Sequence, residues 1–96
     1  MTISHSKLAN NQKKILLKKF PGLKRHFCDL EKELETNPDD GAKEIILSKN
    51  GRGIPVRIMS AETEIFSGVA SYSKVLIAVY VCSDDFSLGR IIQYLF

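Results

Sequence analysis

The sequence predicts an α+β domain in which an N-terminal helical hairpin packs on a curved antiparallel β-sheet. Apolar residues recur at helical spacing in the first part of the chain, and β-type runs follow after Gly41. A chain of 96 residues is long enough for one such layered domain and too short for two. We therefore expect a single domain over residues 1–96.

The first helix is predicted after a very short strand. Residues Thr2–Ser4 are expected to form an edge strand, and Ser6 is a candidate N-cap for a helix that runs to Lys19. The apolar residues expected on one face of this helix are Leu8, Ile15 and Leu16.

The second helix has the clearest pattern in the chain. Pro21 ends the first helix and can occupy the first turn of the next one. The helix is expected to end at Asn37-Pro38, before a turn at Asp39-Asp40-Gly41. A single apolar stripe is predicted by Leu23, Phe27, Leu30 and Leu34, at spacings of four, three and four.

The remainder of the chain reads as strands joined by turns. Alternation after Gly53 predicts a strand with one buried face and with Arg57 on the other. Residues Ser60–Ser71 are expected to be a polar loop, and Lys49–Gly53 a basic turn. Further strands are predicted at Glu44–Ser48, Ser73–Cys82 and Gly89–Leu95.

Charge is distributed unevenly along the chain. Residues 1–27 contain seven Lys or Arg and no acidic residue. The rest contains the other seven basic residues and all eleven acidic ones, a balance of −4. A basic block beside an acidic one predicts a polyanion or an acidic protein as partner.

Several kinds of chemistry lack their usual residues. The Gly51-Arg52-Gly53 segment is too short for a phosphate-binding loop, and His5 and His26 have no ligand at metal-binding spacing. Cys28 and Cys82 are too few for a disulfide framework. No apolar run approaches the ~20 residues that cross a membrane. We therefore expect a cytoplasmic protein without metal or cofactor.

Basic and phenolic side chains on the predicted strands are the candidate site. By strand alternation, Lys74 lies opposite the apolar face of its strand, while Arg90 and Tyr94, four residues apart, are expected to share a face. Together with Arg57 they could bind a phosphate and stabilise the charge that develops when a ribose hydroxyl attacks phosphorus.

The order of short motifs resembles the RelE/ParE superfamily of toxins from toxin–antitoxin modules. Two motifs frame the second helix, and the others lie on strands, so that the resemblance spans nearly the whole chain. The matching segments are Lys18-Lys19-Phe20-Pro21, Asn37-Pro38-Asp39-Asp40-Gly41, Val56-Arg57-Ile58, Lys74-Val75-Leu76-Ile77 and Ile91-Ile92-Gln93-Tyr94.

The resemblance implies a toxin that cleaves mRNA on the ribosome without a metal ion. The implied catalytic residues are Arg57, Lys74 and Arg90, which hold the scissile phosphate, and Tyr94, which stacks on a base or transfers a proton. The implied contacts to ribosomal RNA are Lys13, Lys14, Lys18, Lys19 and Arg52. A cognate antitoxin with an acidic, partly disordered segment is the implied protein partner. This interpretation requires the three cations to converge beside Tyr94 on an accessible concave surface.

Three departures from the family pattern weaken the basic site. The segment Phe66–Ser71 has no lysine, Lys74 stands where the family has an arginine, and Phe96 stands where it has a lysine. Two alternatives therefore stay open: a ParE-like protein that inhibits DNA gyrase by contact, and a catalytically degenerate relative that binds antitoxin. A generic RNA-binding module is a third and weaker alternative, because the sequence shows no aromatic stacking platform of the RRM type.

Overall fold

The chain forms two helices and five strands, which confirms the predicted α+β class. The computed structural model describes residues 1–47, 49–67 and 70–96, and side chains outside 65–67 and 70–72. The elements are β1 (Thr2–His5), α1 (Lys7–Lys19), α2 (Leu23–Thr36), β2 (Ala42–Leu47), β3 (Gly53–Ser67), β4 (Ala70–Cys82) and β5 (Leu88–Leu95).

The start of α1 is capped as the sequence predicts. The Ser6 hydroxyl accepts a hydrogen bond from the Ala9 amide at 3.0 Å, satisfying one of the free donors of the first turn. The predicted apolar face is partly wrong, because the side chains of Leu8 and Ile15 are 54% and 59% exposed. Ala9 is buried instead, and Leu16 packs against the core.

The predicted stripe of α2 is confirmed. All four of its apolar residues are buried, and the helix ends at Asn37, whose amide donates to the Glu33 carbonyl at 2.8 Å. Four buried side chains on one side fix the orientation of α2 on the sheet. They are Leu23, Phe27, Leu30 and Leu34.

The sheet is mixed rather than antiparallel. Its strand order is β1-β5-β4-β3-β2. The pair β1–β5 is parallel, and the other three pairs are antiparallel. The expectation of a wholly antiparallel sheet is therefore wrong, because the first strand of the chain lies beside the last one instead of pairing with a sequence neighbour through a hairpin.

Strands β3 and β4 form a hairpin that is longer than the sheet beside it. Pairing of β2 with β3 ends at Ile58, and pairing of β5 with β4 begins at Ile77, whereas the β3–β4 register continues to Ser67 and Ala70. The loop expected at Ser60–Ser71 is therefore wrong. Its Gly68 lies outside the described residues.

The polar composition of that segment concealed a strand pattern. Glu62 and Glu64 are exposed, whereas Ala61 is half-buried and Thr63 is 2% exposed. The Thr63 hydroxyl donates to the Lys74 carbonyl across the hairpin at 2.9 Å. Alternation in burial is therefore present without alternation in hydrophobicity.

The two faces of the sheet have different surroundings. We call the side that carries Leu76, Ala78 and Tyr80 the helix face, because these buried residues belong to the same core as α1 and α2. The other side, with Val75 and Ile77, is the open face. Arg57 is paired with Tyr80 and so lies on the helix face, with buried Met59. The prediction that Arg57 lies opposite the buried face of its strand is therefore wrong.

Candidate functional site

Tyr94 lies inside the core. Its side chain is 2% exposed, and its ring packs edge-to-face on Phe27, with centroids 4.9 Å apart. The hydroxyl donates to Glu31 Oε1 at 2.8 Å. The same oxygen is 2.9 Å from His5 Nε2 and 2.8 Å from Lys13 Nζ. The expectation that Tyr94 occupies an accessible surface is therefore wrong.

The surroundings of Tyr94 also decide its protonation. Burial and the hydrogen bond to the Glu31 carboxylate raise the pKa of Tyr94 far above its usual value of 10.0. Burial raises the pKa of the Glu31 carboxyl, but hydrogen bonds from Lys13, Tyr94 and His5 outweigh it and hold that pKa below the usual 4.5. At neutral pH this phenol is therefore a fixed donor to a carboxylate, and its role is to join β5 to α2.

Arg57 and Lys74 share the helix face but lie far apart. Arg57 is paired with Tyr80, and Lys74 precedes Tyr80 by six positions on β4. Six residues of strand correspond to ~20 Å. Lys74 Nζ lies 5.0 Å from the centroid of the Phe96 ring, near the end of the sheet opposite to Arg57. One phosphate cannot contact both side chains.

Arg90 points to the other side of the sheet. It is paired with Val81, on the open face, whereas Tyr94 is paired with Ala78, on the helix face. The register shifts by one residue between these pairs, so that Ile92 is an extra residue in β5. Such a bulge reverses the alternation of a strand, and the expected shared face of Arg90 and Tyr94 is therefore wrong. The structure does not bring the four predicted catalytic residues together.

The lysines predicted to contact RNA divide into two groups on α1. Lys13 forms an ion pair with Glu31 and is turned towards α2. Lys14, Lys18 and Lys19 are exposed, and within the described part of the chain none of them forms an ion pair. The exposed three remain available to an external anion.

Lys7 is also exposed, and it forms a line on α1 with two of these three lysines. Lys7, Lys14 and Lys18 are all exposed and are separated by seven and four positions. At 3.6 residues per turn they lie along one line of the helix, about 16 Å long. We call these three residues the lysine stripe. Exposed Leu8 and Ile15 lie beside it. The spacing of these three lysines is visible in the sequence, where Lys7 is one of the seven basic residues in the first 27.

Arg52 does not join this surface. It lies in the turn between β2 and β3 and is exposed. Strand β2 is at one edge of the sheet, whereas α1 packs against β5 and β1 at the other. Arg52 and the lysines of α1 therefore do not form one continuous surface for RNA.

Comparison with known proteins gives no relative. No family model, no curated protein and no solved structure matches the chain. In the parts of the chain that the structure describes, no helix has the length and apolar character of a membrane span, and no group of His, Cys, Asp or Glu could hold a metal ion.

Proposed function

We propose that this chain is the cytoplasmic toxin of a toxin–antitoxin pair and that it acts by binding ribosomal RNA through the lysine stripe of α1. The observation that carries the proposal is that these three exposed lysines form one line on a helix that contains no acidic residue. Cations in a line can contact successive phosphates and release their counterions.

Binding is better supported than cleavage. Cleavage of mRNA needs cations and a proton-transferring group around one phosphate. The four side chains predicted for this role lie on two faces of the sheet, and one of them is buried. Ribonuclease activity stays a prediction from the family resemblance, and the arrangement of Arg57, Lys74, Arg90 and Tyr94 does not add to it.

The same helix suggests how an antitoxin would neutralise the protein. Leu8 and Ile15 are more than half exposed beside the lysines. A basic line next to apolar side chains fits an acidic segment that also carries apolar residues and folds as it binds. Such a segment and RNA phosphates would compete for α1, so that binding of the antitoxin excludes the RNA.

The test compares two double variants in RNA binding and in growth. The slope of log affinity against log salt is negative, and we expect Lys14→Ala with Lys18→Ala to make it shallower by about 2, near one unit per phosphate contact. The control is Lys32→Ala with Lys49→Ala, which removes two exposed lysines outside α1. Expression without a partner should arrest growth, and only the α1 variant should relieve the arrest.

Other outcomes would contradict the proposal. Equal salt slopes in the two double variants would show that the lysine stripe does not contact RNA. Cut mRNA in arrested cells would restore the ribonuclease interpretation, and damaged DNA with intact translation would favour gyrase as the target.

A further inference from the structure

A pocket lies at the end of the sheet that carries Arg57. Its volume is about 440 Å³, and it opens between the start of β3 and the turn that follows β4. The residues that matter for its chemistry are Lys43, Pro55, Arg57, Asp84 and Phe86. The lysine stripe of α1 does not contribute to this pocket, and of the four residues predicted to be catalytic only Arg57 lines it.

The Arg57 side chain is held in a fixed position there. Its Nη1 donates to the carbonyls of Asp39 at 2.9 Å and Gly41 at 3.2 Å. Its Cζ lies 5.2 Å from the centroid of the Phe86 ring. A guanidinium group has five N–H donors, so that Nε and Nη2 keep three. These three have no acceptor among the described residues, and they form the planar fork that binds two phosphate oxygens at once.

Phe86 is itself fixed by a tightly bonded turn. It has a φ of 57°, which is uncommon for an aromatic residue, and its amide donates to the Ser83 carbonyl at 3.0 Å. The Asp85 carboxylate accepts from the Ser83 hydroxyl at 2.9 Å and from the Ser87 amide and hydroxyl at 3.0 and 2.7 Å. The charge of Asp85 therefore stabilises the turn and is not directed at Arg57.

Lys43 places a second cation beside the first. It lies directly across from Arg57 in the β2–β3 register. Like charges at such positions repel, and no described carboxylate forms an ion pair with either of them. Asp84 contributes a single negative charge to the lining. The lining therefore carries two positive charges and one negative charge, an excess that favours an anionic ligand.

Apolar surface adjoins the two cations. A second groove of about 540 Å³ shares Lys43, Pro55 and Val56 with the pocket and continues to Glu44 and Ile45. Ile45 is 71% exposed, although it lies on a strand. A ligand with an anionic group at Arg57 can therefore rest a flat apolar group on Pro55 and Ile45.

We propose that the pocket at Lys43 and Arg57 binds the phosphate monoester of a nucleotide, with the base on Pro55 and Ile45. A phosphate monoester carries a charge of about −1.5 to −2 at neutral pH, which matches two adjacent cations better than a diester does. The phosphate monoester belongs either to a free nucleotide or to the 5′-phosphorylated end of an RNA, since both present the same chemical group. This proposal does not depend on the lysine stripe of α1.

The test is a titration with adenosine 5′-monophosphate, with adenosine as the matched ligand that lacks the phosphate. We expect the monophosphate to bind at least about tenfold more tightly, since a charge-assisted hydrogen bond contributes about that much. Lys43→Met should weaken binding severalfold, and Asp84→Asn, which removes the single carboxylate of the lining, should strengthen it. The control is Lys32→Met, the same change on an exposed part of α2.

Two comparisons identify the source and separate this site from α1. Binding of a short RNA with a 5′-phosphate but not of the monophosphate would identify an RNA end, whereas tight binding of the monophosphate would identify the free nucleotide. The Lys14→Ala, Lys18→Ala variant should bind the monophosphate as the wild type does, even where it loses ribosomal RNA. Three results would overturn the proposal: binding of adenosine as tight as that of its monophosphate, equal losses in Lys43→Met and Lys32→Met, or no binding of either phosphorylated ligand.

Discussion

The hydroxyl group of Tyr80 occupies the space that a β-carbon on Gly41 would need. Tyr80 is fully buried and donates from this position to the Pro38 carbonyl at 2.8 Å. Arg57 donates to the next carbonyls of the same loop, those of Asp39 and Gly41. Strands β3 and β4 thus fasten the connection between α2 and β2, and the glycine of the Asn-Pro-x-x-Gly motif has a packing reason.

Gly41→Ala should destabilise the fold. The added methyl group would push Tyr80 out of a close-packed position, and overpacking of this kind costs about 1–3 kcal/mol. Gly22→Ala is the matched control, because a β-carbon there meets no atom within 4 Å. Urea denaturation of the two variants measures the difference. A Gly41→Ala variant as stable as the control would contradict the packing found at Tyr80.

Acid should destabilise the protein through Glu31. Because the pKa of this carboxyl is lower in the folded than in the unfolded chain, its contribution is present above the unfolded value of 4.5 and is lost as the pH falls through the folded value. As the pH falls below 4.5, the free energy of unfolding measured by denaturation should decrease more steeply for the wild type than for Glu31→Gln. The control Glu35→Gln, on the exposed side of α2, should follow the wild type.

Tyr94→Phe should affect stability and not RNA binding. The variant removes a buried hydrogen bond to a carboxylate, which is expected to cost about 1.5–3 kcal/mol. The ribosomal RNA affinity of the folded variant should equal that of the wild type, because the hydroxyl is inside the core. A folded Tyr94→Phe protein that binds normally but has lost a measurable mRNA cleavage would instead show a catalytic phenol.

Two neighbouring positions on α1 should respond differently to truncation. Ile15 is 59% exposed, so that Ile15→Ala should change the free energy of unfolding by less than about 0.5 kcal/mol. Leu16 packs against the core, and Leu16→Ala should cost clearly more. Thermal denaturation orders the two variants, and the reverse order would mean that α1 presents another face to the sheet.

The helices were predictable because their signals are local. The cap at Ser6 and the stripe of α2 depend only on spacing within one segment, and both are found. The mixed sheet was not predictable in this way, since nothing near Ile3 in the sequence indicates that β1 lies beside β5. Pairing between the two ends of a chain is decided by tertiary packing.

The candidate site was predicted less well than the fold because one extra residue changes every side-chain direction after it. The bulge at Ile92 separates Arg90 from Tyr94, and no residue type in that segment announces it. Of the four lysines of α1 predicted to contact RNA, three are exposed and Lys13 is not. The sequence could not show that Lys13 differs from the exposed lysines, because its ion-pair partner Glu31 lies on another helix.

Beyond Ile58 on β3 and before Ile77 on β4, the long hairpin has no neighbouring strand among the described residues. Its backbone donors and acceptors on both margins are therefore open to strands of other molecules, which is the usual beginning of fibrous aggregates. Charged side chains at Glu62, Glu64 and Lys74 stand along these margins. Neutralising them should therefore promote polymerisation of the protein at high concentration.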